Sequence, residues 1–242
     1  MDKQKEGNMS VNNKKEAVRV TDSLLRGVEK RLLHFFVRIL PVTIRPNHLT
    51  GIGIAGAVLI AAGYYLCNHH TAWIWLASAG FLINWFGDSL DGSLARFRKI
   101  ERPLYGFFID HNVDSISILL AGVGLGLSPY MHMSVALYVI IGYFMLAIST
   151  YINAYLQGFF KITYSKIGPT EVRFFAILGN TVLFFINKNP VIPVLSYEVT
   201  FFDLLGIFAG TLFIAGYFLF FFKDLKKIAR LDPPKDPENP GK

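Results

Sequence analysis

Four aspartates in two closely spaced pairs are the residues of this sequence best suited to chemistry. Asp88 and Asp91 follow a strongly apolar stretch, and Asp110 and Asp114 come after a short polar connection. Residues three or four positions apart share one face of a helix, so each pair predicts a stripe of carboxylates. If the connection brings the stripes together, the carboxylates repel one another unless cations neutralise them. Ligation by oxygen alone favours hard cations such as Mg²⁺ or Mn²⁺, and two such ions could clamp a pyrophosphate.

Small and basic residues on the same helix faces support a phosphate site. Gly92 and Gly106 leave room for a close approach, because a side chain at either position would crowd the pocket. Arg96 could reach a phosphate with its planar fork of donors. The alternative is a pair of ionic patches that cap two helix ends. Four acids at this spacing, with glycines on the same faces, favour the metal and phosphate site.

The composition indicates a membrane protein. Hydrophobic residues make up 52% of the 242 residues and charged residues only 17%, whereas a soluble domain typically carries about 25% charged residues. The single cysteine excludes an internal disulfide, and the net charge of +7 is typical of membrane topology and of attraction to anionic lipids. No basic segment with interleaved exposed aromatics is evident, so we expect membrane lipids and no nucleic acid as partners.

Hydropathy predicts an all-α integral membrane fold, because a membrane helix needs about 20 mainly apolar residues. Six stretches meet this requirement: 48–67, 72–95, 104–128, 133–160, 171–187 and 199–222. Before them, the stretch 22–40 has apolar residues at helical spacing with basic residues between them, which predicts an amphipathic helix in the membrane interface. We therefore expect a disordered N-terminal tail over 1–21, a membrane domain over 22–228 and a C-terminal tail over 229–242.

The distribution of basic residues predicts the orientation in the membrane. All but one of the 24 Lys and Arg residues lie in the two termini, in the connection at 96–103 or around the start of the fifth span, with Lys188 as the exception. The positive-inside rule then places both termini and the four aspartates on the cytoplasmic side. The size of the chain favours a prokaryotic inner membrane as the location, with an organelle membrane as the alternative.

The two aspartate pairs belong to a longer pattern. Eight positions carry it: Asp88, Asp91, Gly92, Ala95, Arg96, Gly106, Asp110 and Asp114. They resemble the DxxDGxxAR…GxxxDxxxD signature of the CDP-alcohol phosphotransferase family, with a spacer that is slightly longer than usual. The resemblance implies a six-helix membrane core. It also implies metal-dependent transfer of a phosphatidyl or phosphoalcohol group from a CDP-linked donor to an acceptor hydroxyl, with release of CMP, in phospholipid synthesis.

The same resemblance implies a role for each position. The metal ligands would be Asp88, Asp91, Asp110 and Asp114. The residues that line the CDP site would be Gly92, Ala95, Arg96 and Gly106. Asp114 would also be the general base that takes the proton of the acceptor hydroxyl. The segment PNHLT at 46–50 resembles the one that opens the first span in this family, where Asn47 and Thr50 would contact the donor or the metal shell, or cap the helix start.

The acceptor is not defined by this pattern. The segment GPTEVRF at 168–174 loosely resembles part of the choline and ethanolamine phosphotransferases, which would use a CDP-aminoalcohol and diacylglycerol. Lys166 and Arg173 could instead bind a phosphorylated polar acceptor, or could be ordinary positive-inside residues. His111, next to Asp110, could assist proton transfer or make an ordinary hydrogen bond.

Two other classes of protein are weighed against the enzyme. A channel or transporter for divalent cations could use the aspartates as a selectivity site, but all four lie near one face of the membrane. A scaffold without activity is disfavoured because the set of aspartates is intact. The small-xxx-small pattern GIFAG at 206–210 could pack helices within the chain or form a homodimer.

Overall fold

A computed structural model of the chain describes residues 26–157, 169–186, 191–194 and 197–233. Within these ranges the chain is dominated by α-helices, which confirms the predicted all-α fold. The helices are α1 Arg26–Ile39, α2 Pro46–Leu66, α3 Ile74–Arg98, α4 Pro103–Gly126, α5 Met133–Gln157, α6 Pro169–Ile186 and α7 Phe201–Leu231. A short 3₁₀ turn, Thr71–Trp73, precedes α3. Two short strands that the sequence analysis did not predict, β1 Val191–Val194 and β2 Tyr197–Thr200, form an antiparallel hairpin before α7.

Five helices of the described chain are long and apolar enough to cross a membrane: α2, α4, α5, α6 and α7. They confirm an integral membrane protein. The predicted second span corresponds to α3, which has 25 residues but is not among the five. The second half of α3 carries the charged residues of the motif, which makes it less apolar than its neighbours. The count of six spans therefore stays a prediction.

The predicted amphipathic helix is present as α1, although residues 22–25 lie outside the described chain, as does the predicted tail over 1–21. Its apolar side packs on α3, where Val37 and Leu94 are both buried in one cluster. Pro41 follows the end of α1, and the guanidinium of Arg98, the last residue of α3, then holds the connection. It donates hydrogen bonds to the carbonyl oxygens of Leu40, Pro41, Val42 and Ile44. The helix α1 is thus fixed to the helix that carries the first aspartate pair.

Glycines allow α2 and α3 to pack at very short range. A Cβ atom on Gly56 or Gly63 of α2 would collide with the backbone of α3, and one on Gly80 or Gly87 of α3 would collide with the backbone of α2. Small residues of this kind let helix backbones approach closely within membranes. This packing fixes the position along α2 at which the end of α3 lies.

The small-xxx-small pattern at 206–210 is used inside the chain. Gly206 and Gly210 are buried, and a Cβ atom on either would meet side chains of α5, namely Val135 or Tyr138. The pattern therefore packs α7 on α5, and the homodimer stays a prediction. The helix α7 continues to Leu231, past the predicted start of the C-terminal tail at 229, so that the boundary between domain and tail also stays a prediction.

Candidate active site

The helices α3 and α4 carry the two aspartate pairs, Asp88 and Asp91 on α3 and Asp110 and Asp114 on α4. Lys99 ends α3 in the left-handed conformation, with φ of 56°, and Pro103 begins α4 after a short connection. Both helices pack on α2, which therefore acts as a common support. The end of α3 and the start of α4 consequently face one another across the first turns of α2.

Three of the four predicted ligands come together. Asp88, Asp110 and Asp114 each offer a carboxylate oxygen, and these oxygens all lie within 4.8 Å of one another. We refer to these three residues as the aspartate cluster. Oxygens that bind Mg²⁺ or Ca²⁺ lie about 2.0–2.6 Å from the ion, so ligands on opposite sides are about 4–5 Å apart. The spread of the cluster and its purely oxygen donors thus fit a hard divalent cation.

The fourth aspartate, Asp91, lies outside this set of three, and both of its carboxylate oxygens accept hydrogen bonds within the chain. Asp91 Oδ2 accepts a hydrogen bond of 2.6 Å from Thr50 Oγ1 on α2, and its Oδ1 accepts one from the backbone N–H of Gly92. Thr50 thus connects α2 to the motif and does not cap the helix, since the N-cap of α2 is Arg45. Asp91 as a metal ligand stays a prediction.

A guanidinium from α6 enters the site. Arg173 Nη2 donates to Asp88 Oδ2 at 2.8 Å, and the two side chains are only 12% and 21% exposed. The sequence left open whether Arg173 was a functional residue or an ordinary positive-inside residue, and the structure places it against the aspartate cluster. Lys166, the other basic residue considered with it, lies outside the described chain.

The predicted CDP-site residues lie on α2, α3 and α4. Arg96 is exposed, and a Cβ atom added to Gly92 would lie 3.3 Å from its guanidinium. The glycine therefore leaves space for the Arg96 side chain. A Cβ atom on Gly106 would meet nothing within 4 Å, which leaves open space beside the start of α4. Ala95 is half-buried on α3. Asn47 Nδ2 donates at 3.0 Å to the hydroxyl of Tyr105, beside Gly106. The binding of CDP by these residues stays a prediction.

The ring of His111, next to Asp110, is held by one hydrogen bond and by two contacts with aromatic rings. Its Nδ1 donates to the carbonyl oxygen of Phe107 at 2.8 Å and lies 3.8 Å from Asp110 Oδ2. The ring centroid lies 4.2 Å from that of Phe107 and 5.2 Å from that of Tyr151 on α5. Because Nδ1 bonds to the backbone, the imidazole has a fixed orientation. A cavity of about 270 Å³ is lined by Phe107, Phe108, His111, Asn112, Ser115 and Tyr151.

Sequence reasoning missed one acid near the site. Glu29 on α1 accepts hydrogen bonds from two side chains of α3 and from one of α6. These two helices also carry Asp88 and Arg173. The signal that could have found it is that Glu29 is the one acid in a basic helix. Its partners could not be read from the sequence, because they lie far away along the chain.

Comparison with known proteins identifies the class of transferase. The family model for CDP-alcohol phosphatidyltransferase matches residues 43–221, a stretch that includes the whole motif and the helices α2 to α6. The chain therefore belongs to the CDP-alcohol phosphatidyltransferase family, whose members transfer substituted phosphate groups. This confirms the family indicated by the motif.

A particular relative is the archaetidylinositol phosphate synthase of Pyrococcus horikoshii. It is 35% identical over 107 residues, which cover 44% of this chain and 53% of the relative. The chain thus spans about half the length of the curated relative that it matches.

Proposed function

We propose that this protein transfers a phosphatidyl-type group from a CDP-linked lipid to the hydroxyl of a polar acceptor, with release of CMP, in phospholipid synthesis. The observation that carries this proposal is the aspartate cluster, which lies inside the family motif and has carboxylate oxygens within 4.8 Å of one another. The cation channel considered as an alternative is disfavoured, because Arg173 places a positive charge on the cluster.

The residues of the chain would act on the acceptor and the donor as follows. Asp114 takes the proton of the acceptor hydroxyl, which makes the oxygen a stronger nucleophile. That oxygen forms a bond to the phosphorus that carries the lipid, and the bond between this phosphorus and the phosphate oxygen of CMP breaks. Arg96 and Gly92 hold the CMP portion, and the open space at Gly106 admits it. CMP leaves with the electron pair of the broken bond.

The aspartate cluster would hold the metal that the family requires. Asp88, Asp110 and Asp114 would bind Mg²⁺ or Mn²⁺, with Asp91 as a further ligand to a second ion. When bound, the cations supply positive charge that neutralises the phosphates in the transition state. His111 would keep Asp110 oriented or assist proton transfer, and both roles stay open.

The proposed donor is the CDP-linked lipid, and the proposed acceptor is a polar molecule. The relative from Pyrococcus horikoshii is named for the synthesis of archaetidylinositol phosphate, a lipid with a phosphorylated head group. Arg173 lies against the aspartate cluster and could face a negatively charged acceptor with its remaining donors. Use of a CDP-aminoalcohol with diacylglycerol, suggested by the segment at 168–174, is the competing substrate pair.

We place the site on the cytoplasmic side of the membrane. This orientation rests on the positive-inside distribution of Lys and Arg, because the connection that holds the motif is one of the basic connections. The prokaryotic inner membrane stays the expected location.

The test is release of CMP by the purified protein with Mg²⁺ or Mn²⁺. CDP-diacylglycerol, CDP-choline and CDP-ethanolamine are each offered with glycerol 3-phosphate, inositol, inositol phosphate, serine and diacylglycerol. Asp110→Asn should abolish release, whereas Glu101→Gln, an exposed acid between α3 and α4, should behave like the wild type. Release from CDP-diacylglycerol with a polar acceptor supports the proposal. Release only from a CDP-aminoalcohol with diacylglycerol would overturn the substrate assignment, and equal activity in Asp110→Asn would overturn the mechanism.

A further inference from the structure

One carboxylate oxygen of α1 joins three helices beside the aspartate cluster. Glu29 Oε1 accepts hydrogen bonds from Trp85 Nε1 and Ser89 Oγ, both on α3, at 3.1 Å each. The same oxygen accepts a hydrogen bond of 2.9 Å from Thr170 Oγ1 on α6. Glu29 is half-buried, and three donors converge on it. This arrangement is more constrained than that of an ordinary surface acid on an interfacial helix.

The three donors flank the ion pair of the site. Trp85 and Ser89 lie on either side of Asp88 in α3, and Thr170 lies one helical turn before Arg173 in α6. Residues three or four positions apart share a helix face, so Thr170 and Arg173 both face α3. Glu29 therefore holds α3 and α6 together at the level where Arg173 donates to Asp88 at 2.8 Å.

Arg173 places a positive charge where a cation is expected to bind. A guanidinium and a divalent cation at the same carboxylates repel each other, and screening between them is weak when the side chains are largely buried. A charge-assisted hydrogen bond to Asp88 also uses part of the negative charge that the cation would need. A firmly held Arg173 should therefore lower the affinity of the aspartate cluster for the cation.

We propose that Glu29 is a positioning residue that holds Arg173 on Asp88 and thereby sets the cation affinity of the aspartate cluster. This inference rests on the metal site of the proposed function. The role depends on hydrogen-bond acceptance, because all three donors use the same oxygen of Glu29. A glutamine carbonyl oxygen can accept the same bonds, whereas alanine cannot.

The test is a titration of the purified full-length protein with Mn²⁺, in which electron paramagnetic resonance counts the free ion. Arg173→Gln should tighten Mn²⁺ binding about tenfold, because it removes one charge-assisted contact at the carboxylates. Glu29→Ala should also tighten binding, by no more than that factor, and Glu29→Gln should stay near the wild type. Lys30→Ala changes an exposed neighbour on α1 and should bind Mn²⁺ like the wild type.

A double variant tests whether the two residues act along one route. If Glu29 acts through Arg173, the double variant Glu29→Ala/Arg173→Gln should bind Mn²⁺ no more tightly than Arg173→Gln alone, since coupled residues are not additive. Additive effects would overturn the inference, as would binding in Glu29→Ala that is weaker than, or equal to, that of the wild type.

A second control separates positioning from general loosening of α6. Asn180 on α6 bonds to Tyr64 and Ser78 in the bundle interior, away from the site. Asn180→Ala should lower the thermal stability without tightening Mn²⁺ binding, and tighter binding in this variant would overturn the inference. A wild type that binds no Mn²⁺ would contradict the proposed metal site itself, whereas wild-type binding with an unaltered Glu29→Ala variant contradicts only the role of Glu29.

Discussion

Two regions of the helix bundle treat acidic side chains in opposite ways. In one region, the aspartate cluster brings three half-buried carboxylates together, with Arg173 as a basic partner. In the other, Asp203 at the start of α7 is only 1% exposed. It accepts hydrogen bonds of 2.7–2.8 Å from the backbone N–H and the ring Nδ1 of His132 and from the backbone N–H of Thr200.

This difference shows how to separate a structural acid from a functional one. A lone buried carboxylate that is surrounded by donors is satisfied within the chain, and it serves to hold the hairpin and α7 to the start of α5. Three neighbouring carboxylates instead repel one another when they are ionised. The cluster therefore attracts additional positive charge, and this is the property that a metal site needs.

Removal of the metal by a chelator should have the largest effect on turnover. Excess EDTA should reduce the release of CMP by the wild-type protein to the background rate, because the phosphates of the donor would lose their neutralising cations. The rate is followed at a fixed donor concentration and should return when Mg²⁺ is added in excess of the chelator. Turnover that persists in excess chelator would rule out the metal mechanism.

Loss of the proposed general base should have the next largest effect. Asp114→Asn should lower kcat for CMP release by about 10²–10⁴-fold, which is the usual contribution of general base catalysis. The asparagine carbonyl oxygen can still contact a cation, so Mn²⁺ binding should be weakened and not abolished. Glu101→Gln is the matched exposed control, and a near-normal kcat in Asp114→Asn would remove the assigned role.

The smallest effect on turnover is expected for Asp203, at the start of α7. Asp203→Asn replaces one accepting oxygen by a donor that faces other donors, which should lower the free energy of unfolding by about 2–3 kcal/mol. Thermal denaturation of the purified protein measures this change. At a temperature where the variant is folded, its rate of CMP release should stay within about twofold of the wild type, since the hydrogen-bond partners of Asp203, His132 and Thr200, are not part of the proposed site. An unaltered melting temperature would show that Asp203 does not carry the stabilising role assigned to it.

Much of the helical fold could be predicted from the sequence, because long apolar runs bounded by proline define their own ends. The helices α2 and α4 begin at Pro46 and Pro103, close to the predicted starts. The hairpin of β1 and β2 was not predictable, since each strand has only four residues and β1 contains Pro193. Whether α3 spans the membrane stays a prediction, because a motif rich in aspartate and arginine lowers the mean hydropathy of its second half.

The site was predictable to the extent that it follows helical spacing. The two stripes predicted that four carboxylates converge, and three of them, Asp88, Asp110 and Asp114, do so. The bond from Thr50 to Asp91 and the position of Arg173 depend instead on how separate helices pack. Such long-range contacts leave no periodic signal in a single sequence, so the structure was needed to find them.

The measurement that tests the central claim most directly is the binding of Mn²⁺ by Asp110→Asn and Asp203→Asn, side by side with the wild type. Electron paramagnetic resonance of the free ion needs no knowledge of the substrates. The account predicts that Asp110→Asn weakens Mn²⁺ binding by about tenfold or more, because a ligand charge is lost, and that Asp203→Asn binds like the wild type. Equal binding by all three proteins would contradict a metal site at the aspartate cluster.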